Sequence, residues 1–243
     1  PNWAVVTTLQ GRHLRVCRES VQPEGTAQID LSEQVDAVRH RYRERARRNI
    51  RKARAQGITI REWDGSESSF LAWYEVYLET AKRDGFTART ASYLKHLLTL
   101  DCADVTAHLY MAYLGGRVLG GALVIESSAV AVYLYGASLR VDGCSPSYLL
   151  QDHAIDQACS RSVQVYDLYG ISGPGNRGGH LEGLRLFKRA FGGFVRYRNP
   201  SVDYCYRHVI RFITVRMEHL RYKFHRKLRP QRMVQQYSVG KDD

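Results

Sequence analysis

The spacing of apolar residues changes period several times along the 243-residue chain, and each change marks an element. "WAVVTTLQGRHLRVCRES" alternates in the manner of one or two strands about a Gly-Arg turn, and "AQIDLS" reads as a further short strand. From Ser32 the pattern turns helical, with Ser32 as the expected N-cap, an acidic first turn, a basic body and Gly57 as the stop. "ITIREW" predicts a strand. "SESSFLAWYEVYLETAKRDG" predicts a helix whose Phe70, Trp73, Tyr74 and Tyr77 recur every three or four residues, as a core-facing stripe does. After a helix over "ASYLKHLLTL", the run "AHLYMAYLGGRVLGGALVIESSAVAVYLYGAS" predicts three strands of an antiparallel meander, broken at Gly-Gly-Arg and near Ser127. "SPSYLLQDHAIDQACSRS" is an amphipathic helix, "VQVYDLYGI" a strand, "EGLRLFKRAFGG" a short helix and "FVRYRN" a strand. A long basic helix from about Val202 to Leu228, ended by Pro230, and a disordered tail over 231–243 complete the expectation.

Charge adds a polyanion partner to this picture. The formal net charge is +12, and nine of the seventeen residues from Val38 to Arg54 are Lys or Arg. Like charges this dense weaken a helix unless an anion meets them. Arg47, Arg48, Arg51 and Lys52 are therefore the candidate contacts for RNA or another polyphosphate. With 44% hydrophobic and 25% charged residues the composition is that of a globular protein, and no apolar run of ~18 residues offers a membrane span. No signal-peptide pattern follows Pro1, so a cytoplasmic location is the expectation. The cysteines Cys17, Cys102, Cys144, Cys159 and Cys205 are odd in number and never spaced CxxC, which argues against a zinc site and a disulfide framework. No metal is expected.

The element order implies an α/β (α+β) layered fold with a mixed, largely antiparallel central sheet flanked by helices. That is the order of the GNAT-like acyltransferase fold. The segments "RARRNIRKARAQGITIRE", "RDGFTARTASYL", "YLYGAS", "SPSYLLQDHAI" and "VYDLYGI", followed by "GLRLFKRAFGG", go further. In order and spacing they resemble the FemABX family, non-ribosomal peptidyltransferases with two GNAT-like lobes. The resemblance covers roughly residues 22–197. It implies a remnant of a first lobe over 1–30 and a complete second lobe over 31–230.

The same resemblance implies transfer of an amino acid from aminoacyl-tRNA, a co-substrate rather than a cofactor, to the stem peptide of a peptidoglycan precursor. The precursor would be a UDP-linked muramyl peptide or lipid II, handled by a monomer at or near the inner face of the membrane. By motif match, Arg89, Tyr93 and Tyr135 contact the precursor, while Phe187 and Lys188 lie at the aminoacyl end of the tRNA. The residue types suit that chemistry: an ammonium at 188 stabilises the oxyanion formed when an amine attacks an ester, Phe187 stacks on a terminal adenine, and Arg89 offers a fork to a diphosphate. Asp167, inside a strand between tyrosines, invites a general-base reading and reads equally as a structural hydrogen-bond acceptor. His153 and His180 have no nucleophile partner at a catalytic spacing.

Two other functions stay open at this level. An acyl-CoA N-acyltransferase needs a Q/R-x-x-G-x-G/A turn at a helix start, which neither "RDGFTAR" nor "GPGNRGG" supplies. A non-catalytic module binding RNA or an anionic membrane would explain the basic helices and leave the Phe-Lys segment without a role.

Overall fold

The computed structural model describes residues 14–16, 23, 25–143, 145–171, 182–198, 202–207, 209–217 and 220. The expected tail over 231–243, His180 and the glycine-rich loop before Glu182 lie outside the described residues. Two compact units are present, one formed by residues 22–198 and the other by 1–21 with 199–243.

The 22–198 unit contains β2 (Gly25–Asp30), α1 (Val35–His40), α2 (Glu44–Ala55), β3 (Thr59–Glu62), α3 (Glu67–Asp84), α4 (Ala91–Leu98), β4 (Thr106–Leu114), β5 (Arg117–Glu126), β6 (Val130–Ser138), α5 (Pro146–Ser160), β7 (Val165–Ile171), α6 (Glu182–Arg189) and β8 (Phe194–Tyr197). Its strands form one seven-stranded sheet in the order β3-β4-β5-β6-β7-β2-β8. Only β6 and β7 run parallel; the other neighbours are antiparallel. The meander β4-β5-β6 and the mixed, largely antiparallel sheet are as the sequence pattern implies.

Alternation along the strands divides the interior into two layers. On β4, Leu109 and Met111 face a cluster with Phe70, Trp73, Tyr77 and Leu94 from α3 and α4. Tyr110 and Ala112, displaced by one residue, face the opposite cluster with Ile50, Tyr148, Ile155 and Phe191. Strands covered on both faces lose their polar positions, which is why β5 is buried almost throughout. The α3 stripe is core, and that helix starts at Ser66, whose hydroxyl accepts from the Ser69 N–H, and stops at left-handed Gly85.

Three expectations are corrected. Gly25–Asp30 was assigned to a first-lobe remnant, but it is hydrogen-bonded between β7 and β8 inside the main sheet. A boundary at residue 30 therefore separates the whole of this strand from the sheet it belongs to. The single helix from Ser32 is two helices: the Ser32 N–H is held by Asp30 Oδ1 at 2.9 Å, α1 begins after Gln34, and the chain breaks over 41–43. The break serves tertiary contacts, since Tyr42 is buried edge-on against Phe191 and the Arg43 N–H donates to the Ala190 carbonyl at 2.8 Å. Gly192, at φ 74°, lets the chain pass there, because a Cβ would meet the Arg41 carbonyl at 2.2 Å.

The third correction concerns the C-terminal region. The other unit pairs β1 (Leu14–Val16) antiparallel with β9 (Val202–Tyr204), so the segment expected to begin a long helix is a strand. Helix follows over 209–217, with Val209, Ile210, Phe212, Ile213 and Met217 all exposed. Among the described residues no helix is long and apolar enough to cross a membrane.

Candidate functional site

The parallel pair β6-β7 holds for three residues only, Val130–Val132 against Val165–Asp167. Beyond it β6 continues to Ser138 and β7 to Ile171 without pairing, which opens a notch at their C-terminal ends. Open α/β sheets bind ligands at such ends, where the ladder stops and backbone groups become available.

Lys188 reaches the β7 side of this notch from α6. The residue is 7% exposed, and its ammonium donates to the Gly170 carbonyl at 2.7 Å. Burial pulls its pKa down to about 8, partly opposed by the charge of Asp167. Asp167 is itself buried and accepts from the Thr26 hydroxyl, from Gln28 Nε2 at 3.0 Å and from the Tyr169 N–H at 2.7 Å. Tyr169 has φ 60°, a left-handed conformation that costs a non-glycine residue about 1–3 kcal/mol. The kink is thus held by a carboxylate on the Tyr169 N–H and an ammonium on the next carbonyl. The first of these depends on β2, the strand that supplies Thr26 and Gln28 to the carboxylate.

Phe187 is half-buried. It meets Tyr148 edge-on at 4.9 Å and Phe191 edge-on at 5.5 Å, and it packs against the core. This packing seats α6 so that the next residue, Lys188, turns toward β7, while the Phe187 ring stays partly exposed.

A second cluster gathers Arg89, Tyr93 and Tyr135. Arg89 lies just before α4, outside the helix, and its backbone is fixed by the aromatic stripe of α3. Its N–H donates to the Tyr77 hydroxyl at 3.2 Å, and its carbonyl accepts from the Tyr74 hydroxyl at 3.0 Å. Thr90 caps α4 and places Tyr93 in the first turn, where its ring lies 5.6 Å from the Arg89 guanidinium carbon. A hydrogen bond with Tyr135 from β6 raises the pKa of Arg89, so the guanidinium is permanently charged. Burial raises Tyr135, a shift its hydrogen bond with Tyr93 reinforces. Three residues distant in sequence thus form one cationic, aromatic-walled patch.

The basic helix α2 divides its charges. Arg54 donates to the buried carboxylate of Asp152 at 2.8 Å, and Arg45 donates to the Tyr148 hydroxyl at 2.8 Å. Arg47 and Arg51 pair with Glu44 at 3.4 and 2.9 Å. Arg48 and Lys52 are exposed and have no ion pair among the described residues. Of the four candidates, these two hold charge that nothing in the fold neutralises.

Sequence reasoning passed over two features. Asp167 reads from the sequence as either a general base or a structural acceptor, and its tie to Lys188 appears only when β2 and β7 are paired. The stretch from Arg140 to Ser145, between β6 and α5, has the spacing R-x-x-G-x-S, with Gly143 at φ 80° and Pro146 opening the helix. It departs from the acyl-CoA turn at its last position, which is Ser rather than Gly or Ala.

Comparison with known proteins fits this architecture. A family model described as an acetyltransferase (GNAT) domain matches residues 40–180. The crystal structure of FemX superposes with a TM-score of 0.74 at 17% identity, over 87% of this chain and 70% of that one. L-PGS from Bacillus licheniformis gives 0.59 at 11%, over 88% and 68%. The C-terminal domain of a putative lysylphosphatidylglycerol synthetase from Agrobacterium fabrum gives 0.54 at 13%, over 76% and 60%. At these identities the likeness is one of fold, and the chain spans between 60% and 70% of each of these structures. No curated protein sequence matches significantly.

Proposed function

The chain belongs to the acetyltransferase (GNAT) domain family, with the FemX fold, and from that premise we propose that its acyl transfer is aminoacyl transfer, from a charged tRNA to an amine on the stem peptide of a peptidoglycan precursor. The observation that carries this reading is Lys188, a buried ammonium held on the Gly170 carbonyl near the end of β7, beside the notch between two parting parallel strands. The FemABX-like motifs supply the donor and acceptor classes.

In the reaction, the acceptor amine attacks the ester carbonyl, a C–N bond forms and the C–O bond to the ribose breaks. The proton given up by the amine ends on the ribose oxygen. Negative charge develops first on the carbonyl oxygen and then on the departing one. Lys188 faces that charge from a site of low polarity, where one ammonium is worth more than in water. Its lowered pKa leaves it protonated at neutral pH and close enough to neutrality to hand a proton to the leaving oxygen. The Arg89, Tyr93 and Tyr135 patch takes the phosphates and neighbouring groups of the precursor, and Arg48 and Lys52, with Arg47 and Arg51, take the tRNA backbone.

The test is transfer of a radiolabelled amino acid from charged tRNA to a muramyl pentapeptide carrying UDP or lipid. The reading requires transfer by the wild type and its loss in Lys188→Met. It is wrong if no charged tRNA serves as donor while acetyl-CoA does. That second outcome is the alternative favoured by the Arg140–Ser145 spacing, which resembles an acyl-CoA turn at the start of α5. Stabilisation of the protein to heat by acetyl-CoA would support it; Pro146 at the first helical positions, lacking an N–H, counts against it.

A further inference from the structure

Between α6 and β8, Ile171, Arg185, Arg189, Gly193, Phe194, Val195 and Tyr197 line a cavity of about 300 Å³. That is the lower end of the ~300–1,000 Å³ range of ligand clefts, the size of one small polar aromatic molecule. Two kinds of group converge there. Arg185 and Arg189 are four residues apart on α6 and so share a helix face, and Arg189 has no ion pair among the described residues. Opposite them on β8, Phe194 and Tyr197 are each more than half exposed, which is unusual for large rings at the edge of a sheet.

Tyr197 is a fixed ring rather than a loose one. It pairs with Gly25 across the β2-β8 ladder, and a Cβ at residue 25 would lie 3.2 Å from both the Tyr197 ring and Ile171. The glycine lets one side of the ring settle on the sheet while the ring stays 54% exposed. An immobilised aromatic platform beside an unneutralised guanidinium matches a planar heterocycle that carries a phosphate. Ile171, in the cavity wall, directly follows Gly170, whose carbonyl holds Lys188.

We infer that this cavity binds one nucleotide of a single-stranded RNA end, with the base on Tyr197 and the phosphate on Arg189 and Arg185. The inference deepens the aminoacyl-tRNA reading and rests on it for the source of the nucleotide. It places a stacking ring on β8, where Tyr197 is more than half exposed, in addition to the partly buried Phe187.

The test uses the 243-residue chain and a fluorescently labelled 5′-ACCA-3′ RNA, with unlabelled AMP and UDP as competitors. Tyr197→Ala and Arg189→Ala should each weaken RNA binding about tenfold, the effect of losing one base stack or one phosphate fork. Tyr197→Phe should stay within about threefold, because the ring face remains, and thermal melts of all variants report whether they fold. Equal binding by folded Tyr197→Ala and wild type overturns the site, as does no measurable RNA binding by the wild type. Displacement of the RNA by UDP at lower concentration than by AMP overturns the assignment to an RNA end in favour of a free diphosphate. Transfer assays on the same variants separate the two claims. Transfer with an unchanged KM for tRNA in Tyr197→Ala refutes the pocket alone. RNA binding that depends on Tyr197, with no transfer from charged tRNA, refutes the aminoacyltransferase reading and leaves the pocket.

Discussion

Two cationic clusters in the 22–198 unit carry their charge in opposite ways. Arg89 stands at a helix entrance among tyrosine hydroxyls, half in water, with its protonated form strengthened by Tyr135. Lys188 is almost fully buried, with one carbonyl as its hydrogen-bond partner and a carboxylate near enough to oppose its loss of charge. The first arrangement keeps a fixed charge and presents a fork. The second keeps a conditional charge in a place where its field is least screened. A protein that only bound anions would gain nothing from the second, since desolvating a lysine weakens the cation it needs. On the proposed aminoacyl-transfer reading, the contrast fits ground-state binding by Arg89 and action on a developing charge by Lys188.

Removing each cation should break the comparison in different kinetic terms. Lys188→Met should lower the transfer rate by about 10²-fold or more, the usual effect of deleting a donor to an oxyanion, with little change in KM for the precursor. Arg89→Ala should raise the precursor KM about tenfold or more, as losing a hydrogen bond from a charged donor does, and change kcat less. Steady-state kinetics on the two variants check both. Effects on kcat of the same size in both would erase the distinction.

The pH dependence sharpens it further. In the folded chain Lys188 titrates at about 8, against 10.5 for an ordinary lysine. Between those values the unfolded chain holds more protons than the folded one, so stability rises as pH goes from about 8 to about 10.5. Below about pH 8 the cost of burying the charge is fully present. Activity, which needs the ammonium, should move the other way and fall as pH passes about 8. Asp167→Asn removes the charge that opposes the shift, so the falling limb should move to lower pH. Thermal melts and kcat measured on one pH series check both signs, and Lys188→Met should flatten the stability rise in that window. The precursor KM should show no such limb, because Arg89 stays charged throughout.

These outcomes depend on contacts that differ in how far the chain announces them. The meander was legible because Gly115 and Gly116, both left-handed, sit between two runs of alternating apolar residues. The aromatic stripe of α3 was legible as core because its spacing is helical and local. The break at Arg41–Arg43 was not, since a run of good helix formers is interrupted by Tyr42 seeking Phe191, some 150 residues away. The candidate site divides the same way. Arg89, Tyr93 and Tyr135 could be named by motif, yet their meeting depends on β6 lying beside α3 and α4. Phe187 and Lys188 were named together by motif, and a short amphipathic helix does not reveal that the lysine is the more buried of the two. Asp167 was noticed in the sequence, but its role could not be chosen until β2, about 140 residues earlier, was seen to deliver Thr26 and Gln28 to its carboxylate.

The smallest predicted effect lies on α2, where the structure sorts arginines that the sequence presents alike. Arg54 is tied to Asp152, which also takes Arg39 Nε at 3.0 Å and so pins both α1 and α2 to α5. Arg48 and Lys52 have no such duty. Arg48→Ala with Lys52→Ala should therefore weaken tRNA binding only a few-fold and make it less steep in salt by about one to two phosphate contacts, with no change in the melting midpoint. Arg54→Ala should instead lower the midpoint, because it strips one partner from a buried carboxylate. Filter binding across a salt series and thermal melts separate the two. If Arg54→Ala flattened the salt dependence while the double variant left it unchanged, the RNA would be reading the inner face of α2, and the division drawn between its structural and its free cations would be reversed.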